Sequence, residues 1–143
     1  MITYRINAPI SPGQFVDILR RSGLAERRPI DDPTCMAGMV SNGNLAITAW
    51  DEELLVGIAR SVTDFVFCCY LSDLAVDRDY QRQGIGRALI ARTQAALGDR
   101  ASLILLAAPK AVDYYPHIGM RPHRHAWVLK GKERLTPPEK IEK

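Results

Sequence analysis

The residues best suited to binding chemistry in this 143-residue chain are Gln81-Arg82-Gln83-Gly84-Ile85-Gly86-Arg87, where a polar segment meets a helical pattern. Glycines at a helix start let main-chain N–H groups converge without interference from a Cβ, and the helix end adds positive potential. Such a turn suits an anion. Charge-assisted hydrogen bonds of roughly 1.5–3 kcal/mol each would hold a diphosphate without a metal. Arg82 and Arg87 add charge at its rim. Two nucleotide readings fail on particular residues. A P-loop needs Gly-Lys-Ser/Thr, and here Gly86 is followed by Arg87-Ala88. A dinucleotide fingerprint needs a small sixth residue and an acid about 20 residues on. Leu89 and the apolar residues 103–106 stand at those places. A tight strand-to-helix turn that binds nothing stays open on these residues alone.

Cys35, Cys68 and Cys69 offer neither a disulfide framework nor a zinc spacing. The adjacent pair would point to opposite faces of a strand, so the cysteines are read as buried or half-buried thiols in a reducing compartment. No metal site is expected.

The elements that position the glycine turn follow from periodicity. Ile2, Tyr4 and Ile6 alternate as a first strand. Ser11, Pro12 and Gln14 form a capping box that opens a helix with Phe15, Val16, Ile18 and Leu19 inward, ending at Gly23. A second helix is expected over 33–41. Strands over 45–50 and 54–62 form a hairpin around residues 51–53, and a third run over 66–76 is long enough to carry a bulge. The helix after the glycine turn is expected to reach about residue 97, with Leu89, Ile90, Thr93, Ala96 and Leu97 as its buried stripe. Residues 102–107 read as a central strand covered on both faces, followed by a short helix over 110–118 and a last strand over 126–129. Residues 1–130 are read as one domain and 131–143 as a polar, mobile tail.

Composition agrees with a globular protein: 47% hydrophobic and 24% charged residues. No run approaches the ~20 apolar residues of a membrane span, and the opening MITYRINAPI lacks a signal-peptide core. A cytoplasmic location with no membrane partner is the expectation. The net charge is +3, of which residues 130–143 hold +2. The nearly neutral body lacks the basic face that nucleic acid requires, so no nucleic-acid partner is expected.

The segment LSDLAVDRDYQRQGIGRALI, with Gln81-x-x-Gly84-x-Gly86, resembles the signature of the GNAT superfamily of acetyl-CoA-dependent N-acetyltransferases. AVDYYPHIGM is similar to that family's second block. Asn is common seven residues before its Tyr, where Ala108 stands here, and Met120 replaces the usual aromatic. The resemblance implies an α/β fold of the GNAT acyl-CoA N-acyltransferase type: a central twisted mixed sheet splayed between its fourth and fifth strands and flanked by helices. It implies acetyl-CoA as co-substrate, with Gln81, Arg82, Gln83, Gly84, Ile85, Gly86 and Arg87 on the diphosphate. Main-chain groups of Leu74, Ala75 and Val76 would pair with the pantetheine arm as another strand would.

The implied reaction is direct attack of a primary amine on the acetyl group in a ternary complex. Only about one amine in a thousand is neutral at pH 7.4, a deficit of roughly 4 kcal/mol that a base must offset. Asp73, on the cleft strand, is expected to take that proton directly or through water. Tyr115 occupies the family's position for the group that protonates the departing thiolate. His117 points elsewhere, being two residues from Tyr115, while His123 and His125 are candidates for the acceptor entrance. The acceptor, a small amine or a protein lysine or N-terminus, is not legible. Neither is dimerisation, which is common in the family. A coenzyme A-binding module without catalysis is the rival reading.

Overall fold

Period-2 alternation builds β1 (Ile2–Ile6), whose Ile2 and Tyr4 turn inward while Thr3 and Arg5 face solvent. The structure, a computed structural model, describes residues 1–137. They fall into two units, Met1–Lys110 and a second that begins at Ala111. The end of the expected tail, residues 138–143, lies outside the described residues.

In the first unit, α1 (Pro12–Ser22) starts with the expected capping box: Ser11 Oγ accepts from Gln14 N at 3.0 Å, and Gln14 Oε1 accepts from Ser11 N at 2.9 Å. Gly23 ends the helix in the left-handed region at φ +87°. A turn of 3-10 helix (Leu24–Arg27) leads to α2 (Pro33–Asn42), capped by Asp32. Then come β2 (Leu45–Asp51), β3 (Leu54–Thr63) and β4 (Cys68–Val76). A polar loop leads to α3 (Ile85–Ala95) and β5 (Ser102–Ile104).

The sheet order is β1-β2-β3-β4-β5, antiparallel through β4 and parallel between β4 and β5. Neighbouring residues of β3 face opposite ways, so the strand is buried on both sides. Ile58 joins Phe15, Ile18, Leu19 and Met36 in the core under α1 and α2. Gly57 faces α3, where a Cβ would stand 3.1 Å from Leu89 and 3.3 Å from Ile85. The missing side chain lets α3 lie close against the sheet.

The expected bulge of β4 is at Ser72. Arg60 pairs with Asp73 and Ser61 with Leu71, leaving Ser72 as the extra residue. Cys69 is buried, but Cys68 is exposed rather than buried or half-buried as expected, because neighbours on a strand point to opposite faces.

Three further expectations change. β5 pairs only over Ser102–Ile104 and is not covered on both faces, since Ile104 and Leu106 are each 53% exposed. The helix expected over 110–118 is a 3-10 turn (Pro109–Ala111) followed by the single turn α4 (Tyr114–His117). Residues 126–129 form no strand: Trp127 is 92% exposed and no neighbouring strand offers hydrogen bonds to this segment among the described residues.

Candidate active site

β4 pairs with β3 along its whole length but with β5 only from Cys68 to Tyr70, opposite Ser102 to Ile104. Past Tyr70 the two parallel strands part. The edge of Leu71–Val76 that faces away from β3 therefore meets no strand among the described residues. Main-chain groups on a bare sheet edge are open to a strand-like ligand, although in this segment Ser72 O and Val76 O already accept from the Arg28 and Gln81 side chains. Leu74, Ala75 and Val76 lie on this edge, opposite Ala59, Ile58 and Gly57 of β3.

The loop after β4 is held from several directions. Asp77 N donates to Val56 O at 2.9 Å, Asp77 Oδ1 accepts from Asp79 N, and Arg21 of α1 reaches Asp77 Oδ2. The Tyr80 hydroxyl donates to Asp51 Oδ2 at 2.6 Å. Gln81 spends its amide on Val76 O at 3.0 Å, so its side chain shapes the loop from within. Arg82 sits in the left-handed region at φ +64° and Gly84 at φ +81°. Non-glycine residues adopt that conformation at a cost, so the loop is held in one shape by its anchors.

Gly84 caps α3 with no side chain, and nothing lies within 4 Å of where its Cβ would be. The first backbone bond of the helix is Ala88 N to Gly84 O, leaving the N–H groups of Ile85, Gly86 and Arg87 without an intrahelical partner. Arg82, Gln83 and Arg87 are exposed around them. The expected binding residues are thus together in one place, with free donors and positive charge suited to a diphosphate. Among the described residues no group of His, Cys, Asp or Glu is arranged to hold a metal.

Asp73 is placed differently from the expectation that it takes a proton from an amine. It is 0% exposed, on the face beneath α1. Its Oδ1 accepts from Arg28 Nε and its Oδ2 from Arg60 Nε, both at 2.5 Å. Arg28 Nη2 also donates to Ser72 O, and Arg60 Nη2 to Ser72 Oγ. Both arginines therefore close on the bulge. Both oxygens of this buried carboxylate are thus engaged by a guanidinium. Arg28 and Arg60 were invisible as partners in the pattern, although an Arg within the otherwise apolar LLVGIARSVT signals an acid on a neighbouring strand.

In the second unit, Tyr115 lies on α4 with its ring 5.3 Å from that of Tyr114, edge to face. Burial, with Tyr114 beside it, raises its phenol above the ordinary value. It therefore stays protonated at neutral pH, the state a proton donor needs. His123 and His125 stack edge to face at 5.4 Å, and His125 N donates to His123 Nδ1.

Comparison with known proteins agrees with this fold. Solved structures share the fold at low identity. A probable acetyltransferase from meticillin-resistant Staphylococcus aureus superposes with a TM-score of 0.73 at 17% identity, covering 92% of this chain and all of that one. A GNAT-family acetyltransferase from Streptococcus pneumoniae gives 0.69 at 21% identity, with 92% and 100% covered. Among curated relatives, GCN5-related N-acetyltransferase 2, chloroplastic, of Arabidopsis thaliana is 37% identical over 70 residues, or 48% of this chain and 27% of that protein. Histone acetyltransferase TAP1 of Glycine max is 34% identical over 71 residues, covering 48% and 31%. The chain thus matches less than a third of the length of each of these two curated relatives. A family model described as acetyltransferase (GNAT) domain matches residues 19–133, from within α1 to beyond α4. With that match over most of its length and a mixed sheet that opens between β4 and β5, the chain belongs to the GNAT acetyltransferase family.

Proposed function

We propose that the chain transfers an acetyl group from acetyl-CoA to a primary amine by direct attack. The observation that carries this reading is the bare outer edge of Leu71–Val76 running into the glycine-capped start of α3. The extended arm of coenzyme A and the diphosphate that follows it require those two surfaces in that order.

Acetyl-CoA supplies the activated acyl group, and the chain's residues do the rest. The free N–H groups of Ile85, Gly86 and Arg87 hold the diphosphate, with Arg82 at the rim. Main-chain groups from Leu74 to Val76 hold the arm. A main-chain N–H beside Leu74 meets the carbonyl oxygen as it gains charge. Tyr115, four residues before Gly119 in the family's second block, returns a proton to the sulfur. Asp73 serves this reading by holding the bulge, and the amine loses its proton to water or to another group. The acceptor is an amine whose further chemistry the site does not name.

Acetyl-CoA titration followed by thiol release over an amine panel tests the proposal. Saturable binding and amine-dependent thiol release are expected. Binding without release for any amine would make the chain a coenzyme A-binding module, and absence of binding would overturn the reading altogether.

A further inference from the structure

Between the β1–α1 connection, the end of α2 and the β2–β3 sheet, the first unit holds a cavity of about 310 Å³. Asn7 and Ile10 line it from the β1–α1 connection, Val40 and Gly43 from the end of α2, and Ile58 and Arg60 from β3. That volume is the small end of the range for ligand sites. No Asp or Glu lines it, and Arg60 is the only charged lining residue.

Arg60 has donors to spare. Nε is spent on Asp73, Nη1 donates to Met39 O at 3.2 Å, and Nη2 donates to Ser72 Oγ at 3.1 Å. One N–H remains on each terminal nitrogen. The cavity wall at Nη1 is Gly43, where a Cβ would come within 3.1 Å of that nitrogen. Asn7 accepts from Ala46 N through Oδ1, while its Nδ2 donates to no protein group among the described residues.

The charge balance points the same way. Arg28 and Arg60 share the single carboxylate of Asp73, and no second acid pairs with either among the described residues. The Arg28 side chain is 21% exposed and meets water, whereas that of Arg60 is 9% exposed. A buried cation sharing its only anion is costly, and a bound anion lowers that cost. One surplus charge calls for a monoanion, and the apolar walls of Ile10, Val40 and Ile58 take a short hydrocarbon body.

We propose that this cavity binds a small monocarboxylate through the unspent N–H groups of Arg60 and the Asn7 amide. The carboxylate belongs either to a separate ligand or to an acceptor amine that carries one. Because Arg60 also holds Ser72 and Asp73, occupancy is felt at the β4 bulge.

Calorimetric titration with butyrate and 3-phenylpropionate, against their uncharged amides, tests the site without any acetyl transfer. It therefore stands or falls separately from the proposed function. Saturable binding of a carboxylate but not its amide is expected. Asn7→Asp keeps the bond to Ala46 N but sets like charge at the mouth, and should weaken binding about tenfold or more. Gly43→Ala, whose Cβ would crowd both Cγ and Nη1 of Arg60 at 3.1 Å, should weaken it too. No saturable binding of either carboxylate would overturn the proposal. So would binding that both variants leave unchanged. With acetyl-CoA present, 4-aminobutyrate separates the sources: thiol release inhibited by butyrate makes the carboxylate part of the acceptor, and release indifferent to butyrate makes it a separate ligand.

Discussion

Replacing Asp73 by Asn tests whether this carboxylate is a structural clamp. Asn keeps the shape and removes the charge. One amide oxygen still accepts from one arginine, but whichever way the amide turns, its NH2 meets the N–H of the other. Arg60, buried to nine-tenths, is left with no anion. Breaking a buried pair by removing one partner costs about 3–5 kcal/mol. At about 2.1 cal/mol/K per residue, a chain of 143 residues has an unfolding entropy of about 0.3 kcal/mol/K. The melting temperature should therefore fall by roughly 10–17 °C, measured by scanning calorimetry. Arg28→Met should cost much less, about 1–3 kcal/mol, because it leaves one guanidinium for one carboxylate and loses the bonds to Ser72 O and Asp73. Turnover of Asp73→Asn should fall by a similar factor at every pH, as for a residue that shapes the bulge. A variant that melts within about 2 °C of the native chain yet loses turnover mainly at low pH would refute the clamp and restore Asp73 as the base.

Tyr115→Phe keeps the ring and removes the hydroxyl, so thiol release should fall by at least about tenfold while acetyl-CoA affinity holds. Tyr114→Phe is the control, and a collapse in that variant alone would move the acid by one residue. Gly86→Val, in the first turn of α3, should weaken acetyl-CoA binding in a chain whose circular dichroism is unchanged, because a branched side chain stands where main-chain donors must approach a phosphate. Asp64, whose Oδ1 accepts from the N–H groups of Cys68, Phe67 and Val66, has its carboxyl lowered from 3.8 to about 2. A value lowered on folding contributes stability above pH ~4 that is lost as pH falls through about 2. Melting curves of Asp64→Asn and the native chain should accordingly differ above pH ~4 and converge near pH 2.

Much of the first unit was legible because its signals are local. The Ser11–Gln14 box, Gly23 and the glycine turn each act within a few residues, and each formed as expected. What escaped depends on distant partners. Arg28 meets Asp73 across 45 positions of sequence, and nothing near either residue announces the other. The segment around Trp127-Val128-Leu129 has strand-forming residues, but strand formation needs a neighbouring edge, and the pattern carries no information about whether one is offered. The same gap shortened β5. Its apolar run extends to residue 107, yet pairing stops at Ile104 because β4 turns away.

The sheet order has a kinetic consequence. β1 pairs with β2 only after α1 and α2 intervene, whereas β2, β3 and β4 follow one another through short turns. The β2–β4 meander can zip from its own hairpins, with little loop entropy lost at each step. β5 returns only after α3 has docked, and it does so through three paired positions. The last ladder to form and the first to open is therefore the one between β4 and β5. Hydrogen exchange at Ser102–Ile104 should report opening events far cheaper than global unfolding, while amides in the centre of β3 should exchange only when the whole unit melts. The weakest seam of the sheet thus borders the bare edge of Leu71–Val76, where, under the proposed function, brief separation of the strands would let a long, flexible thioester enter sideways rather than thread in from one end.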